Sequence, residues 1–184
     1  MSWRSTHLEG VWIFEPKVWY DARGYFVETF NASKLPEELK STIFVQDNEA
    51  KSTKGVLRGL HYQLPPFAQA KLVRCVEGEV LDVVVDVRPG SDTYGQHLSV
   101  ILNDISKKQL FVPHGFAHGY VVLSDTAVFA YKCDQFYHPA SEGGLNYNDP
   151  NLGIHWILPT ESLIVSDKDL ILPHLNDHKP FVAP

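Results

Sequence analysis

Two short stretches carry the residues with the most chemical potential. "GLHYQ" at 59–63 and "PHGFAHG" at 113–119 each set one histidine, His61 or His118, into a segment otherwise suited to a β-sheet. An imidazole titrates near neutrality, so each ring can ligate a metal, move a proton, or pack with its nitrogens satisfied by neighbours. Two further polar tips sit in comparable surroundings. Lys71 alternates with Val73 and Cys75 in "KLVRC", and Tyr131 alternates with Ala127 and Phe129 in "AVFAY". Successive strand side chains point to opposite faces, so both polar groups turn to the enclosed side with their apolar neighbours. There an ammonium can stabilise a developing oxyanion, and a phenol can donate a proton.

The elements that must position these groups are strands. In "VLDVVVDVR" (80–88) Leu81, Val83, Val85 and Val87 fall on one face, and Asp82, Asp86 and Arg88 on the other. Similar patterning predicts strands in "GVWIFEP", "YFVETF", "TIFVQDN", "GVLRGLHYQ", "KLVRCVEGEV", "HLSVIL", "QLFVPHG", "GYVVLS" and "AVFAYKCD", with turns at "DARG", "TKG", "EG", "RPGSDTYG", "NDIS" and "LSDT". Many short strands at regular spacing imply an all-β sandwich, barrel or jelly roll. Helix is scarce. "SKLPEELK" (33–40) is expected to form one short helix, and "SDKDLIL" (166–172), with Ser166 as N-cap, another before Pro173 stops it.

Composition limits the function classes. The 184 residues suit one domain, and 44% apolar with 21% charged residues describes an ordinary globule. No apolar run approaches the roughly 20 residues that span a bilayer, so no membrane role is expected. The opening "MSWRSTHLEGVWIFEP" has no basic segment followed by an apolar stretch, which points to the cytoplasm. Cys75 and Cys133 lie in separate strand-like runs, as reduced core thiols would. A net charge of −6 with scattered Lys and Arg argues against a nucleic-acid partner while leaving room for local cationic pockets.

With its PxGxxH, and with a glycine turn after each histidine region, the chain resembles the two motifs of the cupin jelly roll. A metal-binding cupin carries HxH and a later glutamate in its first motif. Here the corresponding residues are His61, Tyr62 and Gln63, and the next acid, Glu77, lies beyond a full strand. Two imidazoles are too few for a tight transition-metal site, so no metal is expected and the histidines are free to act as bases.

A fuller resemblance runs over nearly the whole chain. "DARGYFVETFN" (21–31), "VQDNEAKSTKGVLRGLHYQ" (45–63), "AKLVRCVEGEVLDVVVDVRPGSDTYG" (70–95), "LFVPHGFAHGYVVLSD" (110–125), "YKCDQFYHPASEGGLNYNDP" (131–150), "GIHW" (153–156) and the segment ending in "SDKD" (166–169) together resemble the dTDP-4-dehydrorhamnose 3,5-epimerase family. The resemblance implies a single cupin-type jelly-roll domain. Its residues 1–50 are expected to hold strands exchanged in a homodimer, 51–140 the core, and 141–184 a segment closing the site.

The implied reaction is cofactor-independent epimerisation of dTDP-4-keto-6-deoxyglucose, which needs a base, an oxyanion stabiliser and an acid. By resemblance His61 is the base and Asp169 its orienting carboxylate, with Asp167 two residues away offering the same chemistry. Lys71 and Tyr131 take the other two roles. For substrate binding the family points to Arg23, Arg58 and Lys168 for the diphosphate, and to Glu28, the "QDN" segment (Gln46, Asp47, Asn48) and Glu142 for nucleotide or sugar. Tyr137 is placed to stack on the base and His118 to hold the sugar. Arg23 and Glu28 are expected to serve the neighbouring chain's pocket. Relatives that invert a single carbon keep much of this set. A metal-dependent cupin and a non-catalytic sugar-nucleotide-binding cupin are the readings from other classes.

Overall fold

The computed structural model describes residues 2–182. Two large sheets dominate. The first has the order β1 (Ser2–Ser5), β2 (Trp12–Glu15), β10 (Gln109–Val112), β7 (Lys71–Glu77), β12 (Thr126–Cys133), β5 (Gln46–Thr53). The second runs β13 (Glu142–Gly144), β6 (Val56–Gln63), β11 (Phe116–Val122), β8 (Glu79–Asp86), β9 (His97–Asn103), with β14 (Ile164–Val165) added to β6. Strands adjacent in sequence repeatedly land in different sheets, as in an all-β jelly roll. A hairpin of β3 (Val18–Asp21) and β4 (Gly24–Val27) pairs with neither large sheet.

Three apolar layers follow from the alternation. Val73, Cys75, Leu110, Phe129, Val84 and Tyr120 are among the residues that fill the space between the sheets. Leu81, Val83, Val85 and Val87 turn outward, yet they are buried under Leu145, Leu152, Trp156, Leu175 and Phe181 of the C-terminal segment. Each such large side chain contributes about 1.5–3 kcal/mol on burial. With both faces covered, the acidic face of β8 is not a solvent face: Asp82 and Asp86 are fully buried. Asp86 is neutralised locally by Arg88, Ser91 and Thr93. The third layer packs Leu35, Leu39 and Phe44 from residues 30–44 onto Leu72 and Phe111 of the first sheet.

Several elements differ from expectation. "SKLPEELK" forms two 3₁₀ turns, Ala32–Lys34 and Glu37–Leu39, instead of one helix. Pro36 lies between them, and the residue before a proline is held out of the helical region. Residues 42–45 are irregular, and the strand starts at Gln46. The second helix, α1 (Asp167–Leu170), forms as a single turn with the Ser166 hydroxyl accepting from Asp169 N. Both cysteines are free and buried, and no helix among the described residues is long and apolar enough to cross a membrane.

Candidate active site

Strand β6 is the axis of the site. His61 and His118 lie directly opposite each other on β6 and β11, and Arg58 lies opposite Tyr120, with a slip of register between the two pairs. The slip occurs where two glycines meet. A Cβ on Gly59, whose φ is +128°, would stand 2.6 Å from Gly119 Cα and 2.8 Å from the His118 carbonyl oxygen. The bare backbones therefore close up, and the Gly59 N–H donates to Asp169 Oδ2 at 3.2 Å. The other Asp169 oxygen lies 2.6 Å from His61 Nε2. Asp169 is buried, whereas Asp167 is exposed, so the ring meets the third residue of α1 and not the first.

Burial pushes the Asp169 carboxyl upward, but hydrogen bonds from His61, Gly59 and Ser166 outweigh it and hold the group below the usual carboxylate range. An anionic Asp169 fixes the tautomer with the proton on Nε2 and leaves Nδ1 to accept one. His118 is tied in the same way, Nε2 to Asp82 Oδ2 at 2.9 Å.

The facing wall comes from the first sheet. Lys71 opens β7 opposite Cys133, and Tyr131 on β12 lies between Val73 and Asn48. Burial pushes the Lys71 ammonium below the usual lysine range, against the pull of Cys133, Asp82 and Glu142. Burial likewise raises the Tyr131 phenol. A cavity of about 480 Å³ is lined by Arg58, His61, Lys71, His118, Tyr131, Lys168 and Asp169 together with apolar residues. A second, of about 310 Å³, shares His61, Lys71 and Tyr131 with it and adds Gln46, Asn48, Tyr137 and Glu142. Volumes of this order suit a small organic ligand.

The flanking residues form one chain of contacts. The Gln46 side chain accepts from Tyr137 N at 3.0 Å and donates to Asn48 at 3.0 Å. Glu142 receives the Tyr137 hydroxyl at 3.3 Å and Lys168 Nζ at 2.5 Å. Two candidates stand elsewhere in this chain. Arg23 pairs with Asp21 on the β3–β4 hairpin, and Glu28 accepts from Asn31 and Lys34. Asp47, unlike its neighbours, alternates to the opposite face of β5 and binds Lys132 at 2.9 Å.

Sequence reasoning passes over some residues of the site. Ser52 is buried and receives Arg58 Nε and Nη2, each at 3.2 Å. Alternation marks it, since Gln46, Asn48, Ala50 and Ser52 share one face of β5. Tyr120 and Phe129 complete the cavity wall. Among the described residues no group of three or more His, Cys, Asp or Glu side chains is gathered for a metal ion.

This arrangement can be set beside known proteins. The family model of dTDP-4-dehydrorhamnose 3,5-epimerase matches residues 5–177. The chain belongs to the dTDP-4-dehydrorhamnose 3,5-epimerase family. The Shigella flexneri dTDP-4-dehydrorhamnose 3,5-epimerase is 52% identical over 166 residues, 90% of this chain and 91% of that protein. The crystal structure of the Elizabethkingia anophelis dTDP-4-dehydrorhamnose 3,5-epimerase superposes with a TM-score of 0.90 at 50% identity, covering 96% of this chain and 97% of the other. A dTDP-6-deoxy-D-glucose-3,5-epimerase from Legionella pneumophila, in complex with dTDP-4-keto-L-rhamnose, gives 0.90 at 48% identity over 96% and 93%. The likeness spans both sheets and the C-terminal segment, so the jelly roll of this epimerase family includes every strand that carries the site.

Proposed function

We propose that this family member epimerises dTDP-4-keto-6-deoxy-D-glucose at C3 and C5 to dTDP-4-keto-L-rhamnose, on the path to dTDP-L-rhamnose. One observation carries the reading: the His61–Asp169 pair stands on the second sheet, and Lys71 and Tyr131 face it from the first across a shared cavity. Inversion at carbon requires a base on one face of the sugar and a proton donor on the other, and two opposed sheets supply two faces.

In this reading Nδ1 of His61 removes the proton beside the 4-keto group, and Asp169 stabilises the imidazolium that forms. The Lys71 ammonium stabilises the enolate oxygen. Tyr131 returns a proton from the opposite side. The 4-keto group acidifies both neighbouring carbons, so the chemistry calls for no redox cofactor. Arg58 and Lys168 bind the diphosphate, Gln46, Asn48 and Glu142 the nucleotide or sugar, Tyr137 stacks on the base, and His118 holds the sugar.

Arg23 and Glu28 serve a partner's pocket in a homodimer. The hairpin that carries Arg23 supports this, since it exposes Trp19, Tyr20, Tyr25 and Phe26. Apolar side chains concentrated on one projecting element mark a surface made to be covered. The two reduced thiols suit the cytoplasm.

The test is proton NMR of the substrate incubated with purified protein in deuterated water, beside a His61→Ala control. Deuterium entering at C3 and C5, and not in the variant, is the expected result. Label at one carbon would make the protein a monofunctional epimerase. Binding without label would leave a sugar-nucleotide-binding protein.

A further inference from the structure

Among the described residues, two buried side-chain polar atoms have no hydrogen-bond partner, Asp82 Oδ1 and Tyr120 Oη. Nearly all buried polar atoms in folded proteins are paired, so each exception calls for a reason. Asp82 is wholly enclosed and already holds His118 through its other oxygen. Tyr120 differs, because it is only 5% exposed yet forms part of the cavity wall.

The surroundings of the phenol narrow its purpose. Its ring stacks on Phe129 with centroids 4.1 Å apart and planes at 23°, which fixes where the hydroxyl sits. Burial pushes the phenol up, and Arg58 and Ser52 lie near enough to draw it back, although neither forms a well-directed hydrogen bond with it. The Arg58 guanidinium instead spends two N–H groups on Ser52 Oγ. A ring packed only for its apolar area would serve better as phenylalanine, because the hydroxyl adds desolvation without a bond. The hydroxyl is therefore an enclosed donor without a bond, in a side chain that lines the cavity beside the Arg58 guanidinium.

We infer that Tyr120 is a further substrate-binding residue, whose hydroxyl donates to a non-reacting oxygen of the sugar diphosphate where Arg58 engages it. The inference rests on the proposed reading of the site as one for a nucleotide-linked ketosugar. A contact to an oxygen whose charge does not change during proton transfer strengthens ground state and transition state alike, so its loss raises KM and spares kcat.

The isosteric Tyr120→Phe variant tests this by steady-state kinetics, calorimetric titration with dTDP-glucose and thermal melting without ligand. The expected result is a KM raised about tenfold and a dTDP-glucose affinity weakened about tenfold, as for one hydrogen bond to a charged oxygen. With them should come a kcat within about twofold and an unliganded Tm equal to or above wild type. Unchanged KM and affinity would overturn the inference. So would a lower unliganded Tm, because the hydroxyl would then be bonded inside the protein. The titration requires no turnover, so a wild type that binds without reacting would sink the epimerase reading while the Tyr120 contact is still decided by affinity.

Discussion

Two histidine–aspartate pairs stand opposed across β6 and β11, and they are built differently. His61 meets Asp169 from 108 residues away in sequence, its side chain is 28% exposed, and the Gly59 N–H steadies the second carboxylate oxygen. His118 meets Asp82 on the neighbouring strand, is 7% exposed, and leaves the second oxygen of Asp82 unpaired. A ring that must take up and release protons needs an open nitrogen and a carboxylate that keeps its place as charge appears. A ring that only holds a ligand, or holds two strands together, can be sealed in. On the proposed function, the first pair suits proton transfer and the second suits position.

The largest expected effect separates them by activity. His61→Ala should lower kcat/KM by about 10³-fold or more, the usual worth of a positioned base, while costing only about 1 kcal/mol of stability because Asp169 keeps the Gly59 hydrogen bond. Lys71→Met should follow with about a 10²- to 10³-fold loss, as for removal of an oxyanion stabiliser. It carries a second signature. Burial depresses the folded-state value of Lys71, so the cost of keeping the ammonium charged is present below that value and fades as pH rises through it towards the unfolded value. Lys71→Met should accordingly unfold at higher urea than wild type at pH 7, with the gap closing in alkali. A variant less stable at pH 7 would mean that the ammonium has found compensation.

His118→Ala inverts the pattern. It strands a buried Asp82 whose other oxygen is already unpaired, and breaking a buried pair from one side costs about 3–5 kcal/mol. Activity measured on the folded fraction should fall about tenfold, as for one substrate hydrogen bond. Urea unfolding of both histidine variants decides the matter. If His61→Ala proves the more destabilised, the division of labour between the pairs is wrong.

How much of this is legible in the sequence depends on the range of the contact. Lys71 and Tyr131 declare themselves by local alternation, because a polar tip in phase with Val73 or Phe129 has only one side to face. Ser166 likewise announces α1 by capping chemistry. Asp169 has no local pattern that ties it to His61, since α1 lies at the far end of the chain and only resemblance to a family joins them. Asp82 is only half read. Its alternation on β8 fits an inward face as well as ordinary strand-face polarity, and nothing nearby shows that Trp156 and Leu175 cover the other side and leave the acidic face turned inward. The β3–β4 hairpin is half read, its turn from "DARG" and one strand from "YFVETF", while the aromatic exposure that sets it apart emerges only in three dimensions.

The smallest effect bears on how Asp169 stays in place. Hydrogen bonds hold its folded-state value below the usual carboxylate range despite burial. The sign follows: a depressed carboxylate contributes stability that is fully present above its unfolded value and is lost as pH falls through the folded one. Asp169→Asn keeps the shape and removes the charge, so wild type should exceed it in urea midpoint at pH 7, with the difference shrinking as the medium is taken below the ordinary carboxylate range. A gap independent of pH would show that Asp169 is retained for its shape and hydrogen bonding alone. His61 would then lack the fixed anion that sets it apart from His118, and the contrast between the two pairs would reduce to their exposure.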